Sequence, residues 1–131
     1  MKIEEQKKEE ISKDVLSKEE EKSYNEVALA LAVEHKVSKV HPYVGIDPIT
    51  KERIVGYLKE PNYVQKLFAL DRIANGGIFM AADEMREVLT IKEASDERTF
   101  STDSSCDSYR LGMAAACVPI IEVINNSFKK K

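Results

Sequence analysis

The sequence predicts an α+β fold: an N-terminal helix, a β-hairpin, then three helices packed on the hairpin. The stretch IVGYLKEPNYVQKLFAL (residues 54–70) changes period at a Glu-Pro pair, from strand-like alternation to helical spacing. Two β-rich runs, roughly 37–44 and 53–59, flank the turn-forming pair Asp47-Pro48. Beyond residue 61, apolar stripes at 3.6-residue spacing are separated by Asn75-Gly76-Gly77 and by a polar stretch.

The elements follow in chain order. Residues 1–16 are mostly charged and read as a flexible or helical arm, because they offer little apolar surface to offset the entropy of ordering. Ser17 and Glu20 have the spacing of a capping box, from which a helix runs to about Lys36. Its stripe is Tyr24, Val27, Ala28, Leu31 and His35, while Leu29 and Val33 cover the opposite side. A helix apolar on two sides is expected to be enclosed, by its own domain or by another chain.

In the second strand Ile54, Gly56 and Leu58 face one side and Val55 and Tyr57 the other. Pro42 lacks the N–H that a central ladder needs, so the first strand is short or at an edge. Helix two is expected over residues 61–74, with Pro61 in its first turn and Val64, Leu67, Phe68 and Ala74 on its buried side. Helix three, residues 78–89, carries Ile78, Ala81, Ala82, Met85, Val88 and Leu89 on one stripe, with Phe79 and Met80 off it. Residues 90–102 read as a long loop or ragged helix. Ser101, Thr102 or Asp103 then caps a last helix to about Asn126, its face being Cys106, Tyr109, Met113, Cys117, Ile120 and Ile124, with a kink or break expected from Pro119. Residues 17–128 thus form one α+β domain and 129–131 a basic, solvated tail.

Composition narrows the function classes. The net charge of −3, with cations scattered among acids, gives no basic face for nucleic acid. No run approaches the roughly 18 apolar residues of a membrane span, and the expected location is the cytoplasm. Two histidines and two cysteines without a CxxC pair do not compose a zinc site. Asp103 and Asp107 flank Cys106 and work against a thiolate there. On one helix, Cys106 and Cys117 would lie about 16 Å apart, too far for a disulfide. No catalytic centre, metal or cofactor is expected. Asp71 and Arg110 each fall inside an apolar arc, and a charge on a buried face needs a partner, so the two are expected to pair.

The phrase Val55-Gly56-Tyr57-Leu58-Lys59-Glu60-Pro61, the helical run from Leu67 to Ile73, and Ser101-Thr102-Asp103 opening a final apolar helix resemble small tail assembly chaperones of tailed bacteriophages over roughly residues 37–127. The resemblance implies a non-enzymatic factor, in the host cytoplasm, that keeps the long apolar tape-measure protein soluble while tail-tube subunits polymerise around it. Accessible apolar surface is what such binding needs, and Leu29, Val33, Phe79 and Met80 are the candidate contacts. A structural virion component (a connector or packaged protein) and a bacterial protein-binding adaptor remain alternatives. Homo-oligomerisation is compatible with any of the three.

Overall fold

The computed structural model describes residues 15–129. Its elements are α1 (Lys18–Glu34), β1 (Val40–Ile46), β2 (Arg53–Lys59), α2 (Tyr63–Gly76), α3 (Ile78–Leu89) and α4 (Asp107–Lys129), with short 3₁₀ turns at Glu97–Thr99 and Ser104–Cys106. The α+β class and the helix–hairpin–three-helix order are those read from the sequence. Most of the arm expected over residues 1–16, and residues 130–131 of the basic tail, lie outside the described residues.

Local chemistry sets the helix ends. Ser17 Oγ accepts the Glu20 N–H at 3.1 Å and Glu20 returns a bond to the Ser17 N–H, so the capping box forms as spaced. α1 stops in a Schellman arrangement: the Val37 N–H bonds the Ala32 carbonyl and Lys36 bonds Val33, with Lys36 at φ 55°. A second capping box, Asn62 with Gln65, begins α2. Pro61 therefore precedes the cap rather than occupying the first turn, and its ring is buried. Gly77 alone separates α2 from α3, at φ 90° and ψ 168°, a conformation that side chains with a Cβ resist.

The hairpin is a two-faced layer. β1 and β2 pair antiparallel with Val40 opposite Lys59 and Tyr43 opposite Gly56. Directly opposed residues share a face, which gives each face its own core. Leu58 packs with Ala69, Ala81, Ala82, Met85, Leu89, Met113, Cys117 and Ile121 from α2–α4. Val40 and Tyr57 pack with Ala28, Leu31 and Ala32 of α1 and with Ile91. The two sides expected for residues 54–58 are the two sides observed, and the structure places one helix behind the hairpin and three in front.

Residues 90–96, part of the stretch expected as a long loop or ragged helix, run along the free edge of β2. Thr90 bridges Leu58, the Ile91 N–H bonds the Tyr57 carbonyl, the Asp96 N–H bonds the Val55 carbonyl, and Ser95 Oγ accepts the Tyr57 N–H. They occupy backbone groups that would otherwise offer an open edge. Arg98 then clamps this segment to the hairpin loop, with bonds to Asp96 at 2.8–2.9 Å and to both Glu52 oxygens at 2.9–3.0 Å. On the other side, Arg53 joins β2 to α1 through Glu20 at 2.9 Å.

α4 is continuous through Pro119, so the break expected there does not occur. Its buried line is Met113, Cys117, Ile120 and Ile121. Gly112 lets the Tyr43 ring of β1 lie against the helix: an added Cβ would come within 2.8 Å of Tyr43 Cε1, and nearer still to Cζ and the hydroxyl oxygen.

Candidate partner-binding surface

α1 buries Ala28, Leu31 and Ala32, and this one-sided contact turns Leu29 and Val33 outward, 69% and 80% exposed. The enclosure expected of a two-sided helix is not supplied by the described residues. Leu29 and Val33 are four positions apart, one above the other on the outer face.

On the opposite layer, α3 packs Ala81, Ala82, Met85 and Leu89 inward, which leaves Phe79 76% and Met80 52% exposed. They line a groove of about 650 Å³ with Leu111 of α4. Two arginines share that groove. Arg86 is 4% exposed overall and is held by Asp83 at 3.0 Å and Glu87 at 3.5 Å. Arg110 bonds Asp107 at 3.2 Å. The expected Asp71–Arg110 pair is therefore not formed. Asp71 is exposed and makes no ion pair among the described residues. The reason is that the stripe carrying Asp71 faces water, where a carboxylate needs no partner.

That stripe is the main departure from expectation. α2 is seated on Ala69, with Ile73 packed beside it, not on Val64, Leu67 and Phe68. With a single residue joining α2 to α3, the helix has no slack to roll its larger side chains inward. Val64, Leu67 and Phe68 are exposed, as is Val88 of α3, which the sequence also placed in the core. The apolar period was legible; the side of the helix that meets the core was not.

His41 Nε2 lies 2.6 Å from Glu60 Oε2 beside a groove of about 810 Å³ floored by Ala116, Pro119, Ile120 and Val123. Among the described residues no hydrogen bond links His41 to a hydroxyl or thiol. His35 is elsewhere, 3.6 Å from Glu93. Both cysteines are free, and burial pushes the Cys117 thiol up to about 12. Among the described residues no three His, Cys, Asp or Glu side chains gather to hold a metal ion, and no helix is long and apolar enough to cross a membrane.

The carboxylates with altered affinity for protons serve the fold. Arg53 lowers Glu20, Arg98 lowers both Glu52 and Asp96, and the N–H groups of Thr50 and Ile49 lower Asp47. Each of these groups fastens a cap, a turn or an edge.

What the arrangement offers chemically is separate exposed apolar areas on a protein of net charge −3. The four sequence-predicted contacts fall on two of them, Leu29 with Val33 on α1 and Phe79 with Met80 in the α3–α4 groove. No family model, curated protein or solved structure matches the chain.

Proposed function

We propose that this protein works by binding another polypeptide, as a non-enzymatic assembly chaperone of the kind that keeps an apolar tail component such as the tape-measure protein soluble in the host cytoplasm. The observation that carries the reading is the exposure of Leu29, Val33, Phe79 and Met80, four large apolar side chains on an acidic exterior. Burying each against a partner contributes about 1–2 kcal/mol, so a few contacts together suffice for a reversible complex. The resemblance of residues 55–61 and the following helices to tail assembly chaperones supplies the identity of the partner class.

The test is co-expression with the long, coiled-coil-rich product of a neighbouring reading frame. A chaperone keeps that product soluble and co-purifies with it, and substitution of Leu29, Val33, Phe79 and Met80 by serine abolishes both. Absence of any rescue or complex removes the reading. Retention of the protein in purified particles, read by mass spectrometry, would convert it from a chaperone into a structural part.

A further inference from the structure

Gly77 is the single residue between α2 and α3, at φ 90° and ψ 168°. Glycine populates positive and negative φ about equally well, and no group from elsewhere in the fold lies within 4 Å of where a Cβ on Gly77 would stand. Nothing packed beside the joint holds it turned. The flanking sequence also reads through it as one helix. Val64, Ile78 and Met85 are separated by multiples of seven, as are Phe68, Ala82 and Leu89, so the apolar positions of α2 and α3 share a phase. α3 begins without a side-chain cap, which leaves N–H groups of its first turn without helical partners, as it leaves the last carbonyls of α2. A continuous helix would pair the N–H groups of Ile78, Phe79 and Met80 with the carbonyls of Ala74, Asn75 and Gly76.

Reach forbids that helix within one folded chain. From Tyr63 to Leu89 it would be about 40 Å long. β2 ends beside the far end of α3, where Leu58 bridges Thr90. Only Glu60, Pro61 and Asn62 join β2 to α2, and that connection spans at most about 14 Å. If Gly77 turns helical, α1, the hairpin and α2 must therefore leave α3 and α4 together. The surface they vacate is shaped for the same segment of a second copy. There Leu58 and Ala69 regain Ala81, Met85 and Met113, Glu52 regains Arg98, and β2 regains its edge cover. At about 100° per residue, Ala69 and Ile73 lie roughly opposite Ala82 and Leu89 on a straight helix, so its two halves turn their buried sides to lobes on opposite flanks.

We propose that Gly77 is a hinge through which the chain exchanges α1, the hairpin and α2 with a second copy, forming a domain-swapped dimer in which α2 and α3 are one helix. The inference stands apart from the chaperone reading. Glycine sets the balance, because it accommodates the turned joint and so favours the monomer when the protein is dilute, while rising concentration draws the exchange. Phe79 and Met80 follow the hinge directly, so the exchanged form sets a continuous helix beside one of the two candidate contact areas.

Gel filtration with light scattering, from micromolar to millimolar protein, reads the balance. Wild type is expected to be monomeric when dilute and to yield a slowly reverting dimer when refolded from urea at millimolar concentration. Gly77→Ala disfavours φ 90° and favours the helix, and raises the dimer association constant at least about tenfold. Insertion of Gly-Ser-Gly after Gly77 loosens the joint, interrupts the long helix and abolishes the dimer.

Exchange is distinguished from surface contact by Glu52→Arg and Arg98→Glu, each placed in the Gly77→Ala chain. Alone, each variant sets like charges together where Glu52 and Arg98 now bond. When the two are mixed in urea and refolded, a swapped heterodimer restores an opposite pair in both lobes, and it is expected to exceed its random share. A dimer joined only through outer surfaces shows no such preference. Monomer alone from both wild type and Gly77→Ala overturns the proposal, as does a dimer that survives the insertion or a mixture that pairs at random. Should Gly77→Ala fail to fold, the charge variants are made in the wild-type chain and refolded together at millimolar concentration, where absence of the heterodimer counts against the hinge in the same way.

Discussion

Replacing Gly112 by alanine sets local helix preference against tertiary packing. Gly112 lies inside α4, where alanine is favoured over glycine by about 1 kcal/mol. A helix free of neighbours would be stabilised by that amount. Here the new methyl would sit 2.8 Å from Tyr43 Cε1 and closer to two further atoms of the same side chain. Carbon pairs are comfortable at about 3.5–4.0 Å, so the ring or the helix must move. The Tyr43 ring is itself packed against the core cluster of α2–α4, which restricts how far it yields. Overpacking of this kind costs about 1–3 kcal/mol, and three overlapping atoms place the cost in the upper half of that range. The net expectation is a loss of about 1–2 kcal/mol, or a fall in Tm of about 4–8 °C for a chain of this size. Thermal melts followed by circular dichroism measure it. In a Tyr43→Ala background the ring is gone, and Gly112→Ala should stabilise by about 1 kcal/mol, giving a coupling of about 2–3 kcal/mol between the two positions. A rise in Tm from Gly112→Ala alone would refute the packing of β1 against α4.

Other outcomes test the caps, charges and core. Lys36→Gly should stabilise by about 0.5–1 kcal/mol in urea titration, because Lys36 holds φ 55° where glycine carries no Cβ penalty; a loss of stability argues against the Schellman ending of α1. Gly77→Ala should destabilise by about 1–3 kcal/mol through backbone strain alone, since open space surrounds that position, and an unchanged urea midpoint counts against the one-residue joint. Glu20, Asp47, Glu52 and Asp96 hold protons less tightly folded than unfolded. Their stabilisation is complete above the unfolded carboxylate range near pH 4 and is lost as pH falls through the lower folded values; Arg98→Met should flatten Tm against pH below about 5 by releasing Glu52 and Asp96. Cys117 is fully enclosed, so a thiol reagent should modify Cys106 in the native protein and reach Cys117 only on unfolding. Because burial raises that thiol to about 12, its contribution is whole below the ordinary thiol range and fades as pH climbs toward the folded value.

Local rules were legible where they act over a few residues. Ser17 with Glu20, the Asp47-Pro48 turn and the Asn75-Gly76-Gly77 stop were readable because caps and turns are satisfied by side chains within reach along the chain. The pairing of faces in β2 was readable for a related reason: alternation in a strand has only two sides, and both proved to be buried. The edge cover by residues 90–96 left almost no such trace. Its bonds to Val55 and Tyr57 are mostly backbone to backbone and carry no residue preference; Ser95, whose hydroxyl accepts the Tyr57 N–H, is the one side-chain trace of it among these bonds.

The candidate surface divides the same way. Leu29, Val33, Phe79 and Met80 were singled out because each lies off a stripe that was expected to be buried, and all four are exposed. Val64, Leu67, Phe68 and Val88 were assigned inward because they lie on a stripe, yet they too are exposed. A period of 3.6 residues says that a helix has an apolar side, not what that side meets. Asp71 and Arg110 fail to pair for the same cause: Asp71 lies on a stripe that faces water, and Arg110 bonds Asp107.

The chain's own pattern determined that there is a helix, a hairpin and three more helices, where most of them begin, and which hairpin residues look to which side. Those properties depend on backbone geometry and on neighbours a few positions away. Tertiary structure alone decided that α2 rests on Ala69 and Ile73, that β2 receives its cover from residues 90–96, and that Gly112 makes room for Tyr43. Each of these depends on distances between segments far apart in sequence, and a short connection such as Gly77 can override the burial preference of a whole apolar stripe because the rotation of a helix is set by how it is joined and what it packs against.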